Sequence, residues 1–538
     1  MIRHVEASQA VNLSQASEQQ WDVIIIGSGM GGACAAGALA CKGRKVLLVE
    51  KGRGDFSNTR AQGIEVEDPN PQSRLDSAIW PTKLHAKIDN KSIDIWPPLG
   101  CGLGGSTLLY ASALQRLRSA DLEDQISPSG QKMHWPFSYS DLIPYYEKAE
   151  KMFSVRGTND PLDHSLDADL DPPPAMCERD RHFFQAFQQA GLHPYRLHVG
   201  IRYSKPDCGE CGGNICVTNC KRDAFNSAIA QGLDSGNLFV LDNTEVLSLD
   251  ADSKRVNHIL VKREAQEAKL SATIVTLSAG SFFSPILLLR SKNSHWPQGL
   301  ANSSGLVGKN LMFHAGNFIA FWPNGKFSKA GPNKTIAVRD FHRVDGMRLG
   351  ELQSTGLSAG YGIVRFAIGQ LFDHSPLRKL TPLRQLIRIP AYIASKIYGE
   401  ASVFTTIVED YPYEDNCVVI DDDKPSGMRF EYHVRKELKE RVVSMRKLVR
   451  KRLKSLRSIS MSPGVSLNYG HPCGTCKAGD DPKTSVLDKN CKAHDLNNLY
   501  VVDGSFMPSS GCSNPSLTIA ANALRVADAI DNELNSSH

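Results

Sequence analysis

Trp21-Asp-Val-Ile-Ile-Ile26-Gly27-Ser-Gly29-Met-Gly-Gly32-Ala33 opens the stretch that decides the fold, which runs on to Lys45-Val-Leu-Leu-Val49-Glu50. Asp22 to Ile26 is a short apolar, β-branched run, the composition of a strand buried inside a parallel sheet. Gly27, Gly29 and Gly32 fit G-x-G-x-x-G directly after it. The Ala-rich residues 33–40 have high helix propensity, and 45–49 make a second buried strand that ends at Glu50. Strand, turn, helix and strand in so short a span form a βαβ unit. Gly27 allows the tight turn, Gly29 lets backbone approach a pyrophosphate, and Gly32 lets the helix pack close to the strand. Free N–H groups at the helix N-terminus then face the phosphates. Glu50 stands where an acid would accept bonds from ribose hydroxyls. The prediction is an α/β chain with a Rossmann-like dinucleotide-binding domain.

The turn alone allows NAD or FAD. Leu99-Gly100-Cys-Gly102-Leu-Gly104-Gly105-Ser106-Thr-Leu-Leu-Tyr110 tips the choice. Its glycines let backbone come close to a flat ring or a phosphate, and the apolar run 108–114 reads as an ordered, buried segment. A second Gly-rich contact suits a long ligand clamped at both ends, and FAD is the natural candidate.

The chain has 538 residues, too many for one compact core, so two or more domains are expected. Hydrophobic residues at 41% and charged residues at 22% are ordinary for a globular protein. A net charge of +5, with 62 Lys and Arg against 57 Asp and Glu, is too mild to argue for nucleic acid. Residues 1–20 are polar and do not read as a secretory signal. No run of about 18 apolar residues predicts a membrane span. Thirteen cysteines without an export signal read as mostly reduced thiols, and the cytoplasm follows as the expected compartment. Residues 55–95 are turn-rich and are expected to wrap over the cofactor. Residues 160–174, acidic and Pro-rich, read as a surface connection. Asp141 reads as the N-cap of a helix. Residues 436–457 read as a basic helix whose apolar face holds Leu438, Val442, Met445, Val449, Leu453 and Leu456. Pro376 to Gly399 is basic and apolar with no acids. It reads as a substrate lid in preference to a membrane-surface contact.

Toward the C-terminus, His471-Pro-Cys-Gly-Thr-Cys476 precedes the buried strand Asn498-Leu-Tyr-Val-Val502, then Asp503-Gly504, and Ser513-Asn514-Pro515 leads into a helix over 520–530. Taken alone, Asn514 fits a helix cap and His471 a core histidine equally well. With these motifs the chain resembles the glucose–methanol–choline (GMC) family of flavin-dependent alcohol oxidases and dehydrogenases. The match runs in order through the Gly27 turn, Gly104-Gly105-Ser106-Thr107, Trp135-Pro136 with Tyr145-Tyr146, and Ala279-Gly-Ser-Phe-Phe-Ser-Pro285. It continues through Gly308-Lys-Asn-Leu-Met-Phe-His314 and closes on His471-Pro-x-Gly474-Thr475-Cys476 and Asn514-Pro515.

The resemblance implies a GMC-type FAD-binding domain over 1–120, 227–320 and 460–538. A discontinuous α+β substrate-binding domain and cap would take 121–226 and 321–459. It implies cofactor contacts at Gly27, Gly29, Gly32, Glu50, Gly104, Gly105, Ser106, Val246, Asp503, Gly504, Asn514 and Pro515. It also implies oxidation of an alcohol, with His471 as general base and the hydride passing to flavin N5. A histidine is suited to that step near neutral pH. Asn514 would hydrogen-bond the substrate oxygen. Family members that bind flavin covalently often use a histidine near the second Gly-rich segment. Residues 99–114 contain none, so non-covalent FAD is expected.

Cys208-x2-Cys211-x4-Cys216-x3-Cys220 could bind zinc or an iron–sulfur cluster, since thiolates suit both. The run 211–220 resembles the cysteine stretch of membrane-linked sugar dehydrogenases of this family, some of which carry a three-iron cluster. Glu210 stands where their first ligand falls, so the preferred reading is a thiol-rich loop, free or disulfide-bonded. The expected substrate is a small-molecule sugar, cyclitol or other polyol, with oxygen or an electron carrier as acceptor. Two alternatives are a sterol or long-chain alcohol enzyme at a membrane surface and a flavin-binding electron-transfer subunit without chemistry of its own.

Overall fold

A computed structural model describes residues 5–55, 69–127, 130–164, 167–205, 208–358, 361, 364–365, 368–369, 372, 375–399, 401–462 and 464–536. Its organising element is a five-stranded, wholly parallel sheet of β1 (Trp21–Ile26), β2 (Val46–Val49), β3 (Leu238–Leu241), β4 (Ala272–Leu277) and β5 (Leu499–Val501), in the order β5-β4-β1-β2-β3. Strands from residue 21 to residue 501 thus share one layer. Val23, Ile24, Ile25, Val46, Leu47 and Leu48 have no exposed surface, and each such side chain contributes about 1.5–3 kcal/mol of burial. The βαβ reading holds: helix α1 (Met30–Cys41) joins β1 to β2 and is buried along nearly its whole length. Its small residues allow that, because a helix apolar all round belongs inside the protein. The C-terminal helix α2 (Ser516–Ser536) packs across it and starts four residues earlier than predicted.

The second large sheet is antiparallel. It runs Ser458–Ser460, Phe318–Phe321, Ser402–Val408, Gly350–Ser358, Ile336–Val338, Tyr195–Arg196, with Met312–Gly316 and Ser466–Cys473 paired alongside. Residues 312–316 and 466–473, which the sequence reading grouped with the nucleotide-binding segments, therefore lend strands to this second sheet. The helix Lys436–Arg452 lays Leu438, Val442, Met445 and Val449 against it. It stops before Leu453, not at Arg457, although Leu453 and Leu456 still pack in the same core.

The helix predicted to start at Asp141 begins at Tyr139. Ser138 is its N-cap, and Asp141 returns a bond to the Ser138 amide in a capping box. Within the stretch expected to wrap the cofactor, residues 56–68 lie outside the described residues. Its end forms the hairpin Leu84–Ile88 and Lys91–Ile95, whose first strand pairs with Met428–Tyr432. Residues 1–4 and 165–166, part of two other expectations, are likewise outside. Among the described residues no helix is long and apolar enough to cross a membrane.

Candidate active site

The nucleotide turn and the second Gly-rich segment meet face to face. Gly27 has φ +95°, and a Cβ there would stand 2.4 Å from the Ser278 carbonyl oxygen at the end of β4. Gly105 has φ +54°, and its Cβ would lie 2.7 Å from the Cα of Gly29. Both positions exclude a side chain. A Cβ on Gly29, by contrast, would meet nothing within 4 Å. That leaves open space beside the backbone at the one glycine expected to approach a pyrophosphate. Gly32 sits against the turn itself, its Cβ position 2.0 Å from the Gly27 oxygen.

Ser28 and Glu50 lock the two segments together. The Ser28 amide donates to Glu50 Oε2 at 3.1 Å, and the Gly52 amide to Oε1 at 2.9 Å. Ser28 Oγ donates to the same carboxylate and accepts from the Gly104 amide at 3.0 Å. Burial raises the Glu50 pKa, while these donors pull it back. Ser106 Oγ accepts from the Gly100 amide at 3.1 Å. Val246 is the second residue of the strand Glu245–Ala251, two residues after Thr244, whose amide donates to the Glu50 carbonyl at 2.9 Å.

At the far end, Asp503 caps the short turn Gly504–Phe506 and accepts from the amides of Ser505 and Gly280, each at 2.9 Å. Gly504 stands beside the end of the strand that carries His471, its Cβ position 3.1 Å from the Pro472 oxygen. Pro515 precedes α2, and its carbonyl accepts from the Ile519 amide at 3.0 Å. The donor-rich turns, the carboxylate at the strand end and the open face at Gly29 fit an FAD-sized dinucleotide.

His471 and His314 come from the paired strands Ser466–Cys473 and Met312–Gly316. Their Nδ1 atoms are 3.1 Å apart, and His314 Nε2 lies 3.1 Å from the Gly511 carbonyl oxygen. A carbonyl only accepts, so a neutral His314 carries its proton on Nε2 and presents a lone pair at Nδ1. His471 must then donate from Nδ1, which leaves its Nε2 free to accept a proton. This tautomer is assigned from the network. Burial pushes the His314 pKa down to about 4. Burial also takes His471 well below the ordinary histidine range, and positive charge at His314 or Lys334 pushes it the same way.

Lys334 is buried and donates to the Ala111 carbonyl, just past the second Gly-rich segment. Burial lowers its pKa to about 7. Asn514 is buried, and its Oδ1 has no hydrogen-bond partner among the described residues. A buried carbonyl oxygen left so is costly unless a ligand meets it. The neighbouring Ser513 accepts from Arg339 at 2.7 Å and donates to Glu351 at 3.1 Å, which holds the turn that carries Asn514.

Sequence reasoning did not assign roles to His314 or Lys334. His314 was visible only as the end of the motif from Gly308, and nothing in the composition around Lys334 marks it.

The cysteine loop is arranged as pairs. A Cys211–Cys216 hydrogen bond lowers the Cys216 thiol pKa and raises that of Cys211. Cys208 and Cys220 interact similarly. Cys216 Sγ also accepts from the Lys221 amide at 3.4 Å. None of the four is disulfide-bonded. The buried Lys221 ammonium donates to the carbonyls of Leu108, Tyr110, Cys211 and Asn214, tying this loop to the second Gly-rich segment. Among the described residues the grouping close enough to share one metal ion is Asp121, His342 and Cys512, not these four. Arg348 already brings a cation to that group, donating to Asp121 and lying 2.7 Å from Glu409. The expectation of a cluster at Cys208, Cys211, Cys216 and Cys220 therefore gains no support.

Residues 21–316 match the N-terminal profile, and 412–523 the C-terminal profile, of the GMC oxidoreductase family. Among curated proteins, the chain is similar to the 6'''-hydroxyparomomycin C oxidase of Streptomyces lividus, at 28% identity over 96% of this chain and 92% of that one. It is also similar to the fructose dehydrogenase large subunit of Gluconobacter japonicus, at 26% identity over 95% and 98%. Among solved structures, pyridoxine 4-oxidase from Mesorbium loti superposes with a TM-score of 0.64, at 18% identity, covering 95% of this chain and 99% of that one.

Proposed function

The chain belongs to the GMC oxidoreductase family, and from that premise we propose that it oxidises an alcohol group of a sugar, cyclitol or other polyol to the carbonyl, using non-covalent FAD. The observation that carries this reading is the His471–His314–Gly511 chain, which leaves one imidazole nitrogen of His471 free as a base. When bound, FAD supplies the acceptor for the hydride that leaves the alcohol carbon. His471 Nε2 takes the hydroxyl proton as the carbon–hydrogen bond breaks. Its depressed pKa keeps that nitrogen unprotonated at neutral pH. Asn514 holds the substrate oxygen by donating from its side-chain Nδ2, which fixes the carbon's orientation.

The site lies where the parallel and antiparallel sheets meet. Gly27, Gly29, Gly32, Glu50, Gly104, Gly105, Ser106, Val246, Asp503, Gly504 and Pro515 line the nucleotide side. The two histidines come from the antiparallel side. A sugar or related polyol is favoured because the similar curated proteins include one named for fructose and one named for a hydroxylated compound. Electrons then pass to oxygen or to a carrier.

The test is the visible spectrum and anaerobic flavin reduction of wild type and His471→Ala, assayed against a panel of sugars and polyols. Wild type should show flavin bands that bleach with at least one of them. The variant should keep the bands and bleach about 10²–10⁴-fold more slowly. An unchanged rate would remove His471 from the chemistry. A wild-type protein without flavin would overturn the reading as a whole.

A further inference from the structure

Pro376–Lys379, Thr381–Leu386 and Arg388–Tyr398 form three successive short helices. Residues 376–399 contain five basic residues and no acid. The inner side of this run is anchored: Ile387 and Ala391 are buried, and Ala391 packs with Val364 and with Val403 of the antiparallel sheet. The C-terminal end is tied by Lys329 Nζ, which donates to the Gly399 carbonyl at 2.6 Å. The outer side carries a stripe of exposed apolar residues, Leu377, Leu380, Leu383, Leu386, Ile389 and Ile393, recurring every three or four positions across the three helices. Each is 37% to 61% exposed. Arg384, Arg388 and Lys396 are exposed around it. An open hollow lined by Tyr361, Tyr392, Ser395 and Lys396 adjoins the stripe, offering hydroxyls and an ammonium at its edge.

A lid would turn its apolar side chains inward over the substrate, and these turn outward. A second copy of the same face would set Arg384, Arg388 and Lys396 against their own copies, which opposes association. Leucines and isoleucines flanked by arginine and lysine match an anionic bilayer, where apolar groups enter the headgroup–acyl boundary and the cations meet lipid phosphates. We propose that the face formed by residues 376–399 docks this protein on an anionic lipid surface. The contact is peripheral, since among the described residues no helix can cross a membrane. It leaves the alcohol chemistry of the site untouched.

The experiment is flotation of the full chain with vesicles of phosphatidylcholine mixed with phosphatidylglycerol, and of phosphatidylcholine alone. Wild type should float with the mixed vesicles at low salt, be released as salt rises, and stay behind with the neutral ones. The R384Q/R388Q/K396Q variant should bind the mixed vesicles about 100-fold more weakly, as three lost surface charges imply. The L386N/I389N/I393N variant should lose flotation too, and both should oxidise a soluble alcohol like wild type. The proposal is overturned if wild type does not float at low salt, if it binds neutral vesicles equally, or if the asparagine variant still floats. It is also overturned if light scattering shows a dimer that the asparagine variant abolishes. Should a variant fold poorly, the salt and lipid dependence of wild type decides alone.

Discussion

At the active site, proton positions follow from four atoms in a row, of which three lie outside His471: the Gly511 oxygen, His314 Nε2 and Nδ1, and then His471 Nδ1. None of the three needs to touch substrate. His314 is a positioning residue, because it fixes which nitrogen of His471 bears the proton. Replacing it with Phe should lower kcat by about 10–100-fold, the usual cost of losing such a support, with a smaller effect on KM. The pH profile separates this from simple damage. His471 must be neutral to act, so activity is lost as pH falls through its depressed pKa. His314 is neutral above about pH 4, so the Phe variant removes the acceptor of the His471 Nδ1 proton. That disfavours the imidazolium, and the acid limb of kcat/KM should move to lower pH. An acid limb left in place would mean that His314 does not act through His471.

At the scale of elements, the crucial contact is between two glycine turns distant in sequence. Gly105 and Gly29 touch through backbone alone, and Ser28 bridges Glu50 to Gly104. Gly105→Ala would drive a methyl to 2.7 Å from Gly29 Cα in a left-handed conformation. The variant should lose about 1–3 kcal/mol of stability and retain markedly less flavin after gel filtration. Full flavin retention would count against the second turn as a cofactor contact. Both turns were legible from glycine spacing, since backbone approach depends on a missing side chain and so is written directly in the residue type. Helix ends were less legible. The start at Tyr139 depends on whether Ser138 or Asp141 takes the cap, and both have capping side chains.

For the whole molecule, buried histidines make acid the vulnerable direction. His198 is 6% exposed, its Nε2 lies 2.9 Å from the Thr158 carbonyl oxygen, and burial pushes its pKa down to about 4. Above pH 6.5 neither folded nor unfolded chain is protonated there, and its contribution to stability is complete. Between about pH 6.5 and 4 the unfolded chain takes up a proton that the folded chain refuses, which costs about 1.4 kcal/mol per pH unit. Urea unfolding of His198→Asn should therefore show a fall in stability from neutral pH to about pH 4.5 that is smaller than wild type's by about 3 kcal/mol. An equal fall in both would show that His198 titrates normally. Raised carboxyls such as Asp410, at about 7 by burial, act in the opposite direction and cancel in this comparison.

The sequence by itself determined the nucleotide-binding unit and the motifs at His471 and Asn514. Those features are local: strand periodicity, glycine geometry and helix entry act over a few residues. Only the tertiary structure decided which strands share a sheet, since β1, β3 and β5 lie hundreds of residues apart. It alone placed His314 beside His471, Lys334 behind the second Gly-rich segment, and the apolar stripe of 377–393 on the outside. The physical reason is that hydrogen-bond partners, desolvation and exposure belong to pairs and surroundings. No residue type carries them until the chain has packed.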